Sequence, residues 1–139
     1  MIILSVDYGD VRTGIAVCDK LQMLASPVCV ISQRNSEKLA EEIAEIAKSK
    51  NAQRIVVGLP KNMDGSLGFR AQACTDFAEV LREKTQLEVC MQDERLTTVS
   101  AHNILNQTNT RGKKRKQTVD AVAAVLILED YLNKQQNTI

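Results

Sequence analysis

Aromatic residues are scarce in this chain, and their scarcity limits what its surface can do. The 139 residues include two Tyr, two Phe and no Trp, which together make up 3% of the chain. Proteins that bind single-stranded nucleic acid by stacking successive bases need several exposed rings. The composition therefore argues against a binder of that class.

Membrane spans, signal peptides and paired cysteines are also missing. The longest apolar run, Ala121 to Leu128, is far shorter than the roughly 20 residues that cross a bilayer. The first residues lack the basic segment and the cleavage site of a signal peptide. The four cysteines, at positions 18, 29, 74 and 90, have no CxxC spacing and only one His to help them, which fits neither a zinc site nor a redox pair. We therefore expect a cytoplasmic protein without a membrane partner, with reduced and buried thiols.

The overall composition is that of an ordinary folded domain. Hydrophobic residues make up 44% of the chain and charged residues 25%, with only two Pro, which excludes disorder and low-complexity structure. A chain of this length buries about two-thirds of its unfolded surface in one core. We therefore predict a single domain over residues 1–139.

A formal net charge of +1 hides an uneven distribution along the chain. Acidic residues exceed basic ones by three up to position 94, and basic residues exceed acidic ones by four after it. The basic surplus lies mainly in the run RGKKRK, whose cations are Arg111, Lys113, Lys114, Arg115 and Lys116. Such a run suits contacts with nucleic-acid phosphates, although it also fits a solvated loop.

Hydrophobic periodicity predicts an α/β fold with a mixed central sheet of about five strands. Short apolar runs predict strands at 2–8, 13–18, 28–31, 54–59 and 87–92. Helical spacing predicts helices at 35–50, about 73–84, 98–106 and 118–132, with a polar loop at 107–116. The first two strands form an antiparallel hairpin, and the later strands are connected through helices. These later strands are therefore expected to be parallel, with helices on both faces of the sheet.

Four acidic residues lie at the ends of predicted elements. Asp7 lies near the end of the first strand, Asp93 and Glu94 lie where the fifth strand ends, and Asp120 lies in the first turn of the last helix. Carboxylates are rarely buried unless they are paired or bind a metal. If the first and fifth strands approach each other at the sheet centre under the last helix, three carboxylates converge. Such a set would hold Mg²⁺ or Mn²⁺ and hydrolyse phosphodiesters.

Each acid also has an ordinary structural explanation. Asp7 could cap the glycine turn that follows it, and the acids that end the fifth strand could pair with Arg95. Asp120 could complement the dipole of a helix that is capped by Thr118. The prediction of a metal site therefore depends on the acids coming together.

Four motifs resemble, in order and spacing, the signatures of the YqgF family, also called RuvX. They are VDYGDVRTGIAVCD (6–19), VVGLPKNMDGS (56–66), QDERLTT (92–98) and VDAVAAVLIL (119–128). The resemblance covers nearly the whole chain. It implies an RNase H-like fold and a metal-dependent nuclease that processes the 5′ end of pre-16S rRNA, in a family also described as Holliday junction resolvases.

The resemblance also implies a catalytic triad of Asp7, the acid of the DER motif and Asp120. Glu94 is favoured for the middle position, with Asp93 left open beside it. The more distant RuvC resolvases carry a further acid one turn before the last Asp, where this chain has Gln117. Weaker metal binding or a narrower activity would follow from that difference.

Other residues of these motifs suit contacts with substrate. Gly9 permits a tight turn and a close backbone approach, and Arg12 and Arg95 could contact phosphates or brace the carboxylates. The loop residues that could touch substrate are Asn62, Asp64 and Gly65.

Three functions follow as hypotheses. The first is a Mg²⁺- or Mn²⁺-dependent endonuclease that acts on structured RNA in ribosomal precursor particles. The second is resolution of branched DNA, which needs a homodimer, whereas the first is open to a monomer. The third is a non-catalytic RNA-binding assembly factor, suggested by the missing acid at Gln117. No sequence feature separates RNA from DNA as the substrate.

Overall fold

A computed structural model describes residues 1–59, 68–93 and 112–136, and for residues 93, 112–121 and 136 the description is of the backbone alone. The strands are β1 (Ile3–Asp7), β2 (Arg12–Cys18), β3 (Ala25–Ser32), β4 (Arg54–Leu59) and β5 (Glu88–Asp93). The helices are α1 (Ser36–Lys50), α2 (Phe69–Thr85) and α3 (Gly112–Gln136). The predicted helix at 98–106 lies outside the described residues.

The five strands form one mixed sheet in the order β3-β2-β1-β4-β5. Strand β1 is antiparallel to β2, and β2 is antiparallel to β3. Strand β4 lies parallel to both β1 and β5. The predicted mixed sheet is therefore confirmed, and β1 occupies its centre.

Strand alternation divides the core between the two faces of the sheet. Leu4 and Val6 of β1 point to the face covered by α1 and α2, where Phe77 is the largest buried side chain. Ile3 points to the other face, where it packs with Leu128 of α3. Helices on both faces are thus confirmed, with the larger core beneath α1 and α2.

Helix α1 shows how local sequence sets the ends of an element. The Asn35 side chain accepts a hydrogen bond from the Lys38 N–H at 3.0 Å and caps the helix start. At the other end, Asn51 adopts the left-handed conformation with φ 59°, and its N–H bonds back to the last turn. The helix therefore matches the range predicted from its periodicity, with Asn35 as its cap.

Three predicted boundaries are wrong. Helix α2 begins at Phe69, four residues before the expected position 73. Strand β3 was expected to begin after Pro27, but it runs through that residue from Ala25 to Ser32. Because β3 is an edge strand, it can accommodate a proline that donates no hydrogen bond. The last helix begins at Gly112, six residues before the expected Thr118, because the intervening Lys, Arg and Gln residues favour helix.

Membrane-spanning helices were also sought within the three described ranges. None of the helices there is long and apolar enough to cross a membrane.

Candidate active site

Asp7 ends the central strand between two residues that have no side chain. Across the hairpin it pairs with Gly14 of β2. On the other side Val6 pairs with Val57, so continuing the register places Asp7 level with Gly58 of β4. Asp7 and Ser5 share one face of the sheet. On that face, Gly14 and Gly58 place no side chain beside Asp7.

Helix α3 touches β1 two residues before Asp7. The Ser5 hydroxyl donates a hydrogen bond of 2.7 Å to the carbonyl oxygen of Ala124, and both residues are fully buried. Ala16 of β2 and Ala123 of α3 are fully buried too. The small side chains on both sides permit the helix to approach the sheet closely.

The direction of α3 across β1 follows from a second contact. Arg54, which pairs with Ile3 at the start of β1, donates a hydrogen bond of 2.9 Å to the Tyr131 hydroxyl. Later residues of α3 therefore lie towards the start of β1. Residues that precede Ala124 lie towards its end, where Asp7 is.

Asp120 lies one helical turn, about 6 Å, before Ala124. Asp7 lies two residues, about 7 Å, beyond Ser5. The backbones of the two acidic residues thus both lie within about 7 Å of the Ser5–Ala124 contact, on the same side of it.

Asp120 does not lie in the first turn of the last helix, as had been expected. It follows Gly112 by eight residues, which is about two helical turns. The influence of the helix dipole fades within the first turn. The explanation that Asp120 complements the helix dipole is therefore wrong. Thr118 likewise lies inside the helix and does not cap it.

Strand β5 does not approach β1, because β4 lies between them. The expectation that the first and fifth strands meet is therefore wrong, and the two strands lie about 10 Å apart. Gly58 pairs with Gln92, so Gln92 shares the level of Asp7, while Asp93 pairs with Leu59 one step further on. Glu94 and Arg95 lie outside the described residues.

The turn after Asp7 brings two backbone segments together. The Gly9 N–H donates a hydrogen bond of 3.3 Å to the Thr13 hydroxyl, which is fully buried. A Cβ atom at Gly9 would lie only 2.0 Å from the Arg12 carbonyl oxygen. The tight turn predicted at Gly9 is thus present, whereas its contact with substrate stays a prediction, and Arg12 itself lies half-buried at the start of β2.

Arg70 contacts the turn that follows Asp7, which sequence reasoning did not anticipate. Its guanidinium donates a hydrogen bond to the Tyr8 carbonyl oxygen, pairs with the Asp10 carboxylate at 2.6 Å and lies 5.3 Å from the centre of the Tyr8 ring. The Tyr8 ring in turn stacks on Phe77 at 4.2 Å, and burial raises the pKa of Tyr8. These contacts fasten the start of α2 to the residues that follow Asp7. No sequence motif announces such a link between distant segments.

The basic run does not form a loop where the structure describes it. The backbone of Lys113, Lys114, Arg115 and Lys116 belongs to the first turns of α3, so the predicted loop is wrong over these residues. The remaining predicted substrate contacts lie outside the described residues and stay predictions: Asn62, Asp64, Gly65 and Arg111.

The predicted metal ligands are oxygen donors, which suits Mg²⁺ or Mn²⁺ better than a sulfur-binding ion. No cluster of three His, Cys, Asp or Glu is present among the side chains that the structure describes. Glu94 and the Asp120 carboxylate are not among those side chains. The metal site therefore stays a prediction that rests on the placement of Asp7 and Asp120.

Comparisons with known proteins relate the whole chain to a described family and to named relatives. A family model described as "RuvX: Holliday junction resolvase" matches residues 1–134. A protein from Halothermothrix orenii named "Putative pre-16S rRNA nuclease" is 44% identical over 135 residues, which cover 97% of this chain and 96% of that protein. A protein of the same name from Bacillus cytotoxicus is 42% identical over 137 residues, covering 97% of this chain and all of the relative.

Two solved structures share the fold at low sequence identity. Thermus thermophilus RuvC in complex with a Holliday junction substrate is 13% identical, with a TM-score of 0.57 over 99% of this chain and 97% of RuvC. The fowlpox virus resolvase bound to Holliday junction DNA is 14% identical, with a TM-score of 0.57 over 97% of this chain and 99% of the resolvase. The predicted RNase H-like fold is thereby confirmed.

Proposed function

The chain belongs to the RuvX family of nucleases, as its motifs indicated, and we propose that it is a Mg²⁺- or Mn²⁺-dependent endonuclease for the 5′ end of pre-16S rRNA. The observation that carries the proposal is the placement of Asp7 and Asp120 on the same side of the Ser5–Ala124 contact. Two acidic residues from segments more than 100 positions apart in sequence are thereby brought to one end of the central strand.

Asp7, Glu94 and Asp120 are the proposed metal ligands. Odd positions of β1 belong to the face that α3 covers, whereas odd positions of β5, including Asp93, belong to the opposite face, and we therefore favour Glu94 as the third ligand. Gly58 separates β1 from β5 at this level without a side chain, which leaves space for carboxylates from either side to converge. The chemistry that two bound ions supply is an activated water and a stabilised leaving oxygen.

The basic start of α3 is the proposed clamp for the RNA backbone. The first turn of the helix contains no acidic residue. The cations at positions 113–116 are repelled by the positive end of the helix dipole. A phosphate at this end would offset that repulsion and would meet both the cations and the free N–H groups. Binding should therefore weaken with added salt.

The choice of pre-16S rRNA as substrate rests on the relatives that bear that name and match this chain almost end to end. Holliday junction resolution is the second candidate, favoured by the family description and by the two resolvases that share the fold. Resolution cuts two symmetric strands and would require a homodimer. Processing of rRNA does not require a dimer. Cleavage of RNA by a monomer would therefore favour rRNA processing over junction resolution.

The test is a cleavage assay with a pre-16S rRNA fragment and a four-way DNA junction, each with Mg²⁺, Mn²⁺ or EDTA. We expect the wild type to cleave the RNA and Asp7→Asn to lose about 100-fold or more, the scale for removing one charge-stabilising group from an active site. Asp76→Asn, an exposed carboxylate on α2, is the matched control and should cleave normally.

Each outcome separates the candidates. Undiminished cleavage by Asp7→Asn would overturn the catalytic assignment. Preferred cleavage of the junction by a dimer would favour the resolvase. Binding of rRNA without hydrolysis under either metal would favour the assembly factor.

A further inference from the structure

The connection between β2 and β3 exposes three large apolar side chains within four residues of one another. Leu21, Met23 and Leu24 have relative exposures of 75%, 76% and 65%. Single exposed apolar residues are common on protein surfaces, whereas a group of them marks an interaction site. We call these three residues the apolar tip.

Hydrogen bonds fix the shape of the apolar tip. The Asp19 carboxylate accepts a hydrogen bond from the Met23 N–H at 2.8 Å and another from the Leu24 N–H at 3.4 Å. The Asp19 N–H donates to the Leu24 carbonyl oxygen at 3.2 Å, and Gln22 between them adopts the left-handed conformation with φ 57°. Because the turn is ordered before any ligand arrives, binding to the tip costs little ordering entropy.

The apolar tip lies at the end of the sheet opposite to Asp7. Strand β2 is antiparallel to β1 and ends at Cys18, beside the start of β1. The length of β1, about 14 Å, therefore separates the tip from Asp7. The described residues that flank the stretches 60–67 and 94–111 lie at the Asp7 end, away from the tip.

Positive charge flanks the apolar tip. Lys20 belongs to the same connection and lines a cleft of about 670 Å³ together with Lys48 and Asn51 at the end of α1. The Met1 ammonium group lines it too and donates a hydrogen bond of 3.0 Å to the Lys20 carbonyl oxygen. Neither lysine forms an ion pair with a residue that the structure describes. The Asp19 carboxylate is the acid of this connection, so these groups carry a net positive charge.

The small size of the tip and its charged flank favour a lipid surface as the partner. A stable protein partner needs roughly 800 Å² of matched surface on each side, more than three side chains on one turn provide. A lipid surface needs no matched shape, because lipid molecules rearrange around the side chains that enter. Apolar side chains beside lysines are the combination that binds anionic membrane surfaces.

We propose that the apolar tip inserts reversibly into an anionic lipid surface, with Lys20 and Lys48 in contact with lipid phosphates. The expectation of a chain without a membrane partner was based on the lack of a spanning run, and an interfacial contact needs no such run. The Asp7 end of the sheet then points away from the lipid. The candidate active site thus stays open to nucleic acid, and the proposal does not depend on the nuclease function.

Sedimentation with lipid vesicles tests the proposal. The vesicles contain either phosphatidylglycerol and phosphatidylcholine or phosphatidylcholine alone. Wild type should bind the anionic vesicles, and binding should weaken as salt is raised. The double variant Leu21→Gln/Met23→Gln should bind about 10-fold or more weakly, because two inserted apolar side chains are lost. Lys20→Gln and Lys48→Gln should each weaken binding about fivefold.

Matched variants show which end of the molecule meets the lipid. Lys113→Gln/Arg115→Gln removes two cations at the start of α3, at the Asp7 end, and should bind the vesicles like wild type. The chain has no Trp, so Met23→Trp supplies a single fluorescent reporter whose emission should shift to shorter wavelength on the anionic vesicles. Phe69→Trp, at an exposed position at the start of α2, should show no shift. The exposed side chains of the tip can be replaced without loss of folding.

Three results would overturn the proposal. The first is absence of binding by wild type, or equal binding by wild type and Leu21→Gln/Met23→Gln. The second is loss of RNA binding, with vesicle binding intact, in the lysine variants. The third is vesicle binding that appears only after residues 137–139 are removed, since the tip would then be covered by this chain. Leu21→Gln/Met23→Gln should cleave RNA like wild type, so failure of the lipid proposal leaves the proposed nuclease function standing.

Discussion

Ser5 offers a direct way to test whether the distance between α3 and β1 controls the candidate active site. Its hydroxyl donates to the Ala124 carbonyl oxygen at 2.7 Å, and its side chain is fully buried between strand and helix. Ser5→Ala removes the hydrogen bond but keeps the small volume. Ser5→Val removes the same bond and adds bulk where the helix contacts the strand.

The two substitutions should differ more in activity than in stability. Loss of one buried hydrogen bond costs about 1 kcal/mol, because the Ala124 carbonyl keeps its partner within the helix, and it should lower Tm by about 3 to 5 °C. Overpacking by valine adds about 1 to 3 kcal/mol. Valine should also push α3 away from β1, which would separate Asp7 from Asp120.

Thermal unfolding and metal-dependent RNA cleavage, measured on the same preparations, check both expectations. Ser5→Ala should cleave at close to the wild-type rate at 25 °C, where it remains folded. Ser5→Val should lose far more activity than its unfolded fraction explains. Equal cleavage by the two variants would refute the claim that this contact sets the spacing of the acids.

Two further predictions concern the hairpin and a buried thiol. Gly9→Ala should lower the free energy of unfolding by about 1 to 3 kcal/mol in urea denaturation, because the new Cβ would clash with the Arg12 carbonyl oxygen, and an unchanged midpoint would contradict that steric argument. Burial raises the pKa of the Cys18 thiol, so its contribution to stability is complete below its unfolded pKa of about 9 and is lost as pH rises through its folded pKa. The free energy of unfolding, measured from pH 8 to 11, should therefore fall more steeply for wild type than for Cys18→Ala. Parallel pH dependence in the two proteins would contradict the raised pKa of the Cys18 thiol.

The strands and first helix could be read from the sequence because local and tertiary preferences agree there. Strand β4 has the predicted bounds 54–59, since an apolar β-branched run stops at a proline that cannot extend a ladder. The capped amphipathic helix α1 follows its periodicity for the same reason. Where pattern, cap and propensity point the same way, a single sequence suffices.

The thiols were only partly predictable. No disulfide joins the four cysteines, but Cys29 and Cys90 are only half-buried, whereas Cys18 and Cys74 are buried as predicted. Cys29 belongs to the edge strand β3, and Cys90 belongs to β5 at the other edge. The sequence shows that these residues are in strands, whereas their exposure depends on where each strand lies in the sheet.

Sequence reasoning failed where two local signals competed or where contacts are distant. Thr118 is a good helix cap, but the preceding Lys, Arg and Gln residues prefer to continue the helix, and the longer helix is the one that forms. The contacts of Arg70 with Tyr8 and Asp10 join segments about 60 positions apart, and no periodic pattern encodes them. Such links become visible only in the fold.

The observed start of α3 changes how Asp120 can be explained. In a helix that starts at Gly112, position 120 has the same helical phase as Ala124, Ile127 and Leu128, which pack against the sheet. An acidic residue at that phase, two turns from the helix start, receives no benefit from the helix dipole. With the dipole explanation removed, the longer helix favours the proposed role of Asp120 as a metal ligand.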